Sequence, residues 1–136
     1  MENSADRHHV VRLHPGDDLR GSIENTLAAC KIDAGWIISC VGSLRRYCLR
    51  FANEQAPATR NGYFEIISLA GTVSRNGSHL HIAVADNTGA TIGGHLLHGC
   101  TIYTTAEIVL AQSGTYVFKR EPDPDSGFKE LWIGQT

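Results

Sequence analysis

The sequence predicts an α+β domain dominated by a large antiparallel β-sheet with one or two helices. Three observations carry that class. Strand-like runs outnumber helical ones, short links rich in turn residues join the strand runs of the second half, and one segment near the N-terminus has a helical period. With 136 residues, 42% hydrophobic and 19% charged, the chain carries enough apolar surface for one core. Residues 1–136 are read as a single domain.

His8 to His14 alternates weakly and stops at Pro15-Gly16, the pattern of a first strand closed by a turn. Asp17 or Asp18 then offers an N-cap for a helix whose apolar face is Leu19, Ile23, Leu27 and Cys30, with Lys31 suited to its C-terminal end. Trp36 to Val41 reads as a buried strand broken by Gly42-Ser43. Leu44 to Ala52 fits either a half-exposed strand or a second short helical segment, and Asn53 to Gly62 reads as the longest loop. Four β-rich runs follow: YFEIISLAGTVS, HLHIAVAD, ATIGGHLL and CTIYTTAEIVLAQ. Their short links predict a series of antiparallel hairpins. A further strand (TYVFKRE), a Pro-Asp-Pro-Asp-Ser-Gly loop and an apolar run at Leu131 to Ile133 complete the chain.

The chemistry concentrates in three histidines. Residues i and i+2 of a strand share a face, so His79 and His81 point the same way. The third depends on the link that follows. Asn87-Thr88-Gly89 fits a three-residue hairpin loop with glycine in the left-handed conformation of a bulge, which places Asp86 opposite Ala90 and His81 opposite His95. A two-residue loop would turn His95 to the other face. The apolar pattern selects the first register, because Leu80, Ile82 and Val84 then share a core face with Ile92 and Leu96. Small or polar residues, Ala83, Ala85, Thr91 and Gly93, surround the histidines. A similar loop at Leu97-His98-Gly99 brings Thr101, Tyr103, Thr105 and Glu107 to the histidine side, and an Asn76-Gly77 turn aligns Ser74 with His79 and Thr72 with His81.

Three neutral imidazoles suit Zn²⁺ and leave a fourth position for water or substrate. Glu107 is the candidate catalytic acid, base or supporting partner. The competing interpretation makes the same residues hydrogen-bonding partners across an oligomer seam. His8, His9, His14 and His98 lie at exposed or turn positions and read as surface residues. Arg45, Arg46 and Arg50 read as a solvated or salt-bridged face, and Gly93-Gly94 lacks the surroundings of a nucleotide loop and reads as room for close approach.

The net charge of −2 supplies no positive field for nucleic acid. No apolar run approaches the roughly 18 to 20 residues of a membrane span. Cys30, Cys40, Cys48 and Cys100 show no CxxC spacing and the N-terminus has no apolar signal core, so an intracellular, cytoplasmic protein is expected.

The pieces Gly62-Tyr63-Phe64-Glu65-Ile66-Ile67-Ser68-Leu69-Ala70-Gly71-Thr72, His79-Leu80-His81, Gly93-Gly94-His95-Leu96-Leu97, Gly99-Cys100 and Thr104-Thr105-Ala106-Glu107-Ile108 resemble the PPC (plants and prokaryotes conserved) domain. The resemblance implies an α+β fold assembled as a homotrimer. Plant members of that family join the domain to AT-hook DNA-binding segments, whose Arg-Gly-Arg-Pro core does not occur in these residues, so nucleic acid is not an expected partner. The fold is also similar to that of acetolactate decarboxylase, a zinc enzyme with an HxH pair and a later histidine, a pattern matched by His79, His81 and His95. His98 departs from the proline that many relatives carry in this turn.

Two functions follow as expectations. The first is a homotrimeric zinc domain acting as a lyase or hydrolase of small oxygenated molecules, with His79, His81 and His95 as ligands and Glu107 assisting. The second is a non-catalytic interaction or DNA-associated regulatory module whose surface, including Phe64-Glu65-Ile66, meets a protein partner.

Overall fold

Alternating apolar residues and tight turns dictate a strand-rich chain. The computed structural model describes residues 4–136. Its elements are β1 (Arg7–Leu13), α1 (Leu19–Ala29), β2 (Gly35–Arg50), β3 (Ala58–Val73), β4 (His79–Ala85), β5 (Thr91–Leu96), β6 (Thr101–Gln112), β7 (Tyr116–Pro122) and β8 (Lys129–Gln135). Six strands form one antiparallel sheet in the order β1-β6-β2-β3-β4-β5. The far end of β2 also pairs with β5, closing β2, β3, β4 and β5 into a circuit, while β7 and β8 form a separate hairpin.

The helix begins where the sequence places it. Asp18 is the N-cap: one carboxylate oxygen accepts from the Gly21 N–H at 2.7 Å and the other from the Gly99 N–H at 2.6 Å. One side chain thus caps α1 and ties it to the start of β6. At eleven residues α1 is too short to stand alone, and its stability comes from burying Leu19, Ile23 and Leu27 beside Leu13, Ile108 and Leu110. Each such side chain contributes roughly 1.5–3 kcal/mol when fully buried.

Ile38 and Val41 are exposed, so Trp36 to Val41 is not the buried strand expected, and four further expectations of the fold are corrected. First, Gly42-Ser43 does not end a strand; β2 continues to Arg50, so Leu44 to Ala52 supplies strand and no second helix. Gly42 lies against the backbone of Thr105 and Ala106, where any Cβ would overlap, so this glycine admits a close strand crossing. Second, the expected loop at 53–62 ends early, because Ala58, Thr59, Arg60 and Asn61 pair with β2. Third, β6 does not fold back on β5. A twelve-residue strand finds little to pair with on a six-residue one, whereas β2 offers sixteen residues and β1 covers the other edge. The crossing is fixed by backbone bonds from Leu97 N to Cys48 O and from Leu19 N to Cys100 O.

The fourth correction concerns the turn between β3 and β4. Thr72 pairs with His79 and Ala70 with His81, a register two residues away from the expected one. The connection is larger than Asn76-Gly77 because Ser74 is buried and donates to the Phe118 carbonyl at 3.1 Å. A shift of two leaves every side chain on its expected face.

Candidate metal centre

The link between β4 and β5 sets the geometry of the site. Asp86 N donates to Ala90 O at 2.9 Å, Gly89 N donates to Asp86 O at 3.0 Å, and Gly89 has φ +83°. The Asp86 carboxylate accepts from the Thr88 hydroxyl and N–H and from Ala90 N, and these bonds hold it below the ordinary carboxylate range. From this bulged loop the register runs Ala85 to Thr91, Ala83 to Gly93 and His81 to His95. Valine at position 89 would be held in a conformation that costs L residues about 1–2 kcal/mol, more for a β-branched one. We expect Gly89→Val to lower stability by at least that amount in urea unfolding and Gly89→Asn to be tolerated; equal midpoints for wild type and Gly89→Val would contradict the assignment.

The three imidazoles converge as the alternation requires. Ring centroids lie 4.8 Å apart for His79 and His81, 4.6 Å for His81 and His95 and 5.4 Å for His79 and His95. One ring nitrogen from each falls within 4.8 Å of the other two. Tetrahedral zinc with Zn–N near 2.0–2.1 Å needs nitrogens about 3.4 Å apart, so the rings must draw together by up to about 1.4 Å to take up the ion. His79 and His81 are exposed and His95 is half-buried, so the group opens to solvent. Burial first, then the neighbouring His81 and the guanidinium of Arg50 or Arg120, lowers the pKa of His79 and of His95. Both shifts favour the neutral form that a metal requires.

Gly93-Gly94 gives the close approach read from the sequence. A Cβ on Gly93 would stand 2.7 Å from Ile82 O, and one on Gly94 would stand 2.5 Å from Arg50 O. Without those side chains β5 fits between β4 and the end of β2, and Arg50 lies directly opposite His95.

The sequence profile of the Plants and Prokaryotes Conserved (PCC) domain matches residues 1–114. The chain belongs to this family. It is 46% identical over 125 and 127 residues to the bifunctional protein GlmU of two Synechococcus strains, matches that take in 92% and 93% of the chain. It spans 20% of the length of these curated relatives. Among solved structures, a Salmonella cholerae-suis protein superposes with a TM-score of 0.95 at 38% identity, covering 98% of this chain and 97% of that one. A metal-containing protein of Archaeoglobus fulgidus gives a TM-score of 0.81 at 27% identity over 96% of each chain.

Not every candidate joins the cluster in this PCC domain. Glu107 was expected beside the histidines and lies elsewhere: in β6 it pairs with Arg12 of β1 and Val41 of β2. Val41 and Arg50, the latter opposite His95, are separated by nine positions of β2, on the order of 25–30 Å of strand. The facing of β6 was correct, since Ile102, Ala106, Ile108 and Leu110 are all buried, but its neighbour was not β5. His98 is also outside the cluster, its Nε2 lying 3.0 Å from Glu24 Oε2. His9 bonds to Gln112 at 2.8 Å and His14 lies 3.9 Å from Asp17. Sequence reasoning missed Arg50 as a neighbour of the site, because nothing local announces that β5 returns to β2.

Proposed function

We propose that this PCC domain holds one zinc ion on His79, His81 and His95 and acts, as a homotrimer, on small oxygenated molecules as a lyase or hydrolase. The observation that carries the reading is the convergence of three imidazoles on one open face. The description of the Archaeoglobus relative as metal-containing supports it, and the enzymatic part rests on an expected fold-level analogy to acetolactate decarboxylase, whose HxH pair and later histidine match His79, His81 and His95. Three protein ligands leave room for a water or a substrate oxygen, and zinc there would lower the pKa of such a water toward about 7. The histidines hold the ion, and Arg50 adds positive charge beside His95. Glu107 of the same chain is too distant to assist and has no part in the proposal.

The test is elemental analysis of protein purified without chelator, expected to give close to one zinc per chain. Absence of stoichiometric metal, with no binding of added Zn²⁺, would overturn the metal reading.

A second observation supports assembly. Val10, Ile38, Val41, Tyr63, Ile67 and Tyr103 are exposed on the sheet, and the rings of Tyr63 and Tyr103 stack edge-on at 4.9 Å. Apolar surface of this extent is usually covered by another chain. We expect light scattering at micromolar concentration to give the mass of a trimer; a monomer mass would reject it. The interaction-module reading loses part of its surface, since Phe64 and Ile66 are buried and only Glu65 of that trio is exposed. All four cysteines are unpaired, which fits a reducing, intracellular setting.

A further inference from the structure

Beside His79 and His95 lies a cavity of about 630 Å³, the size of a small-molecule site. One wall comes from the end of β2 and the loop after it, with Arg50, Phe51 and Glu54; the other comes from the β7–β8 hairpin, with Arg120, Phe128, Lys129 and Glu130. Phe118 anchors that hairpin, its N–H donating to Asp33 O at 2.8 Å while its carbonyl accepts from Ser74 and Asn76.

Arg120 is the unusual member. Its Nη2 donates to the Thr72 hydroxyl at 2.8 Å, and Thr72 pairs with His79, which places the guanidinium next to the candidate metal centre. Its Nε is buried with no hydrogen-bond partner. Among the described residues no carboxylate lies within ion-pair distance of Arg120, Arg50 or Lys129. Glu130 acts on Arg120 electrostatically but from beyond ion-pair distance, and a half-buried guanidinium with no carboxylate in direct contact gains from a ligand that supplies one. Arg50, Arg120 and Lys129 outnumber Glu54 and Glu130 in the cavity lining, so its balance favours an anion.

We infer that this cavity binds a small organic anion whose carboxylate or phosphoryl group is taken by Arg120, with Arg50 flanking, and whose other end faces the histidines. The inference rests on the proposed function in giving its substrate class, but the anion site stands on its own residues. The planar guanidinium fork suits either oxyanion. Arg120, Phe128, Lys129 and Glu130 lie beyond residues 1–114, so the segment that chooses the anion falls outside the part matched by the family profile.

Acetate and inorganic phosphate serve as probes, each titrated by calorimetry into zinc-loaded and chelator-treated protein. At least one is expected to bind in the millimolar range, and the stronger of the two identifies the oxyanion class. Arg120→Gln should weaken that binding tenfold or more while zinc content stays unchanged. In the wild type, which needs no variant to fold, the Arg120 Nε–H resonance should shift during the same titration. Binding of neither probe, equal binding by Arg120→Gln, or an unmoved Nε–H signal overturns the inference. Arg120-dependent binding by protein that takes up no zinc would retain the anion site and remove the metal reading, which separates the two failures.

Discussion

His81→Ala should strip the protein of most of its zinc, whereas His98→Ala should leave the content unchanged. His81 is the shared neighbour of the trio, its ring roughly perpendicular to the other two at 88° and 86°. Removing it leaves His79 and His95 stacked with centroids 5.4 Å apart. Loss of a partner that merely orients a ligand costs 10–100-fold in affinity, so loss of a ligand should cost more than about 100-fold. His98 is occupied by Glu24 and supplies the control. The pH dependence has a definite sign. Ligand histidines must be neutral, and the pKa values of His79 and His95 lie below the ordinary 6.5, so proton competition should set in below that value and weaken zinc binding on further acidification. Competition with a chromogenic chelator across pH 5 to 8 measures both effects. Equal zinc affinity in wild type and His81→Ala would remove the three-histidine centre.

The site was legible where local rules decide it. An i, i+2 pair and one glycine-terminated loop suffice to bring His79, His81 and His95 together, because alternation fixes the faces and the loop fixes the register. The core faces of β4 and β6 were legible for the same reason, Leu80, Ile82, Val84, Ile102 and Ile108 all being buried. What alternation does not encode is the choice of neighbour. Whether β6 pairs with β5 or crosses to β2 depends on strand lengths and on the capture of Gly99, Cys100 and Ile102 by Asp18, Leu19 and Asp17, contacts some eighty residues apart in sequence. Glu107 was misplaced by that single topological choice. Arg120 was invisible for a related reason: the β7–β8 hairpin reaches the site through Ser74, Asn76 and Thr72, none of which carries a sequence signal of docking.

Gly71→Ala should be among the most damaging single substitutions and should weaken fold and site together. Gly71 has φ +148°, outside the range that L side chains adopt readily, and it pairs with Leu80 in β4. An added Cβ would overlap the His79 carbonyl oxygen and stand 2.9 Å from its carbon and 3.0 Å from Leu80 Cα. These are backbone atoms of a paired strand, so no side chain can turn aside to relieve the contact. Either β4 shifts or its pairing with β3 breaks. Overpacking of about 1–3 kcal/mol and an unfavourable φ of about 1–2 kcal/mol together consume much of a typical net stability of about 5–15 kcal/mol. For a chain of this length that corresponds to a fall in Tm of roughly 10–20 °C. Because the clash falls on His79 itself, any protein that still folds should bind zinc more weakly than wild type, whereas substitution of an exposed residue in the β7–β8 loop such as Asp125 should change neither quantity. A Gly71→Ala protein that melts within two or three degrees of wild type and keeps its full zinc content would show that β4 is not held against β3 as the structure places it.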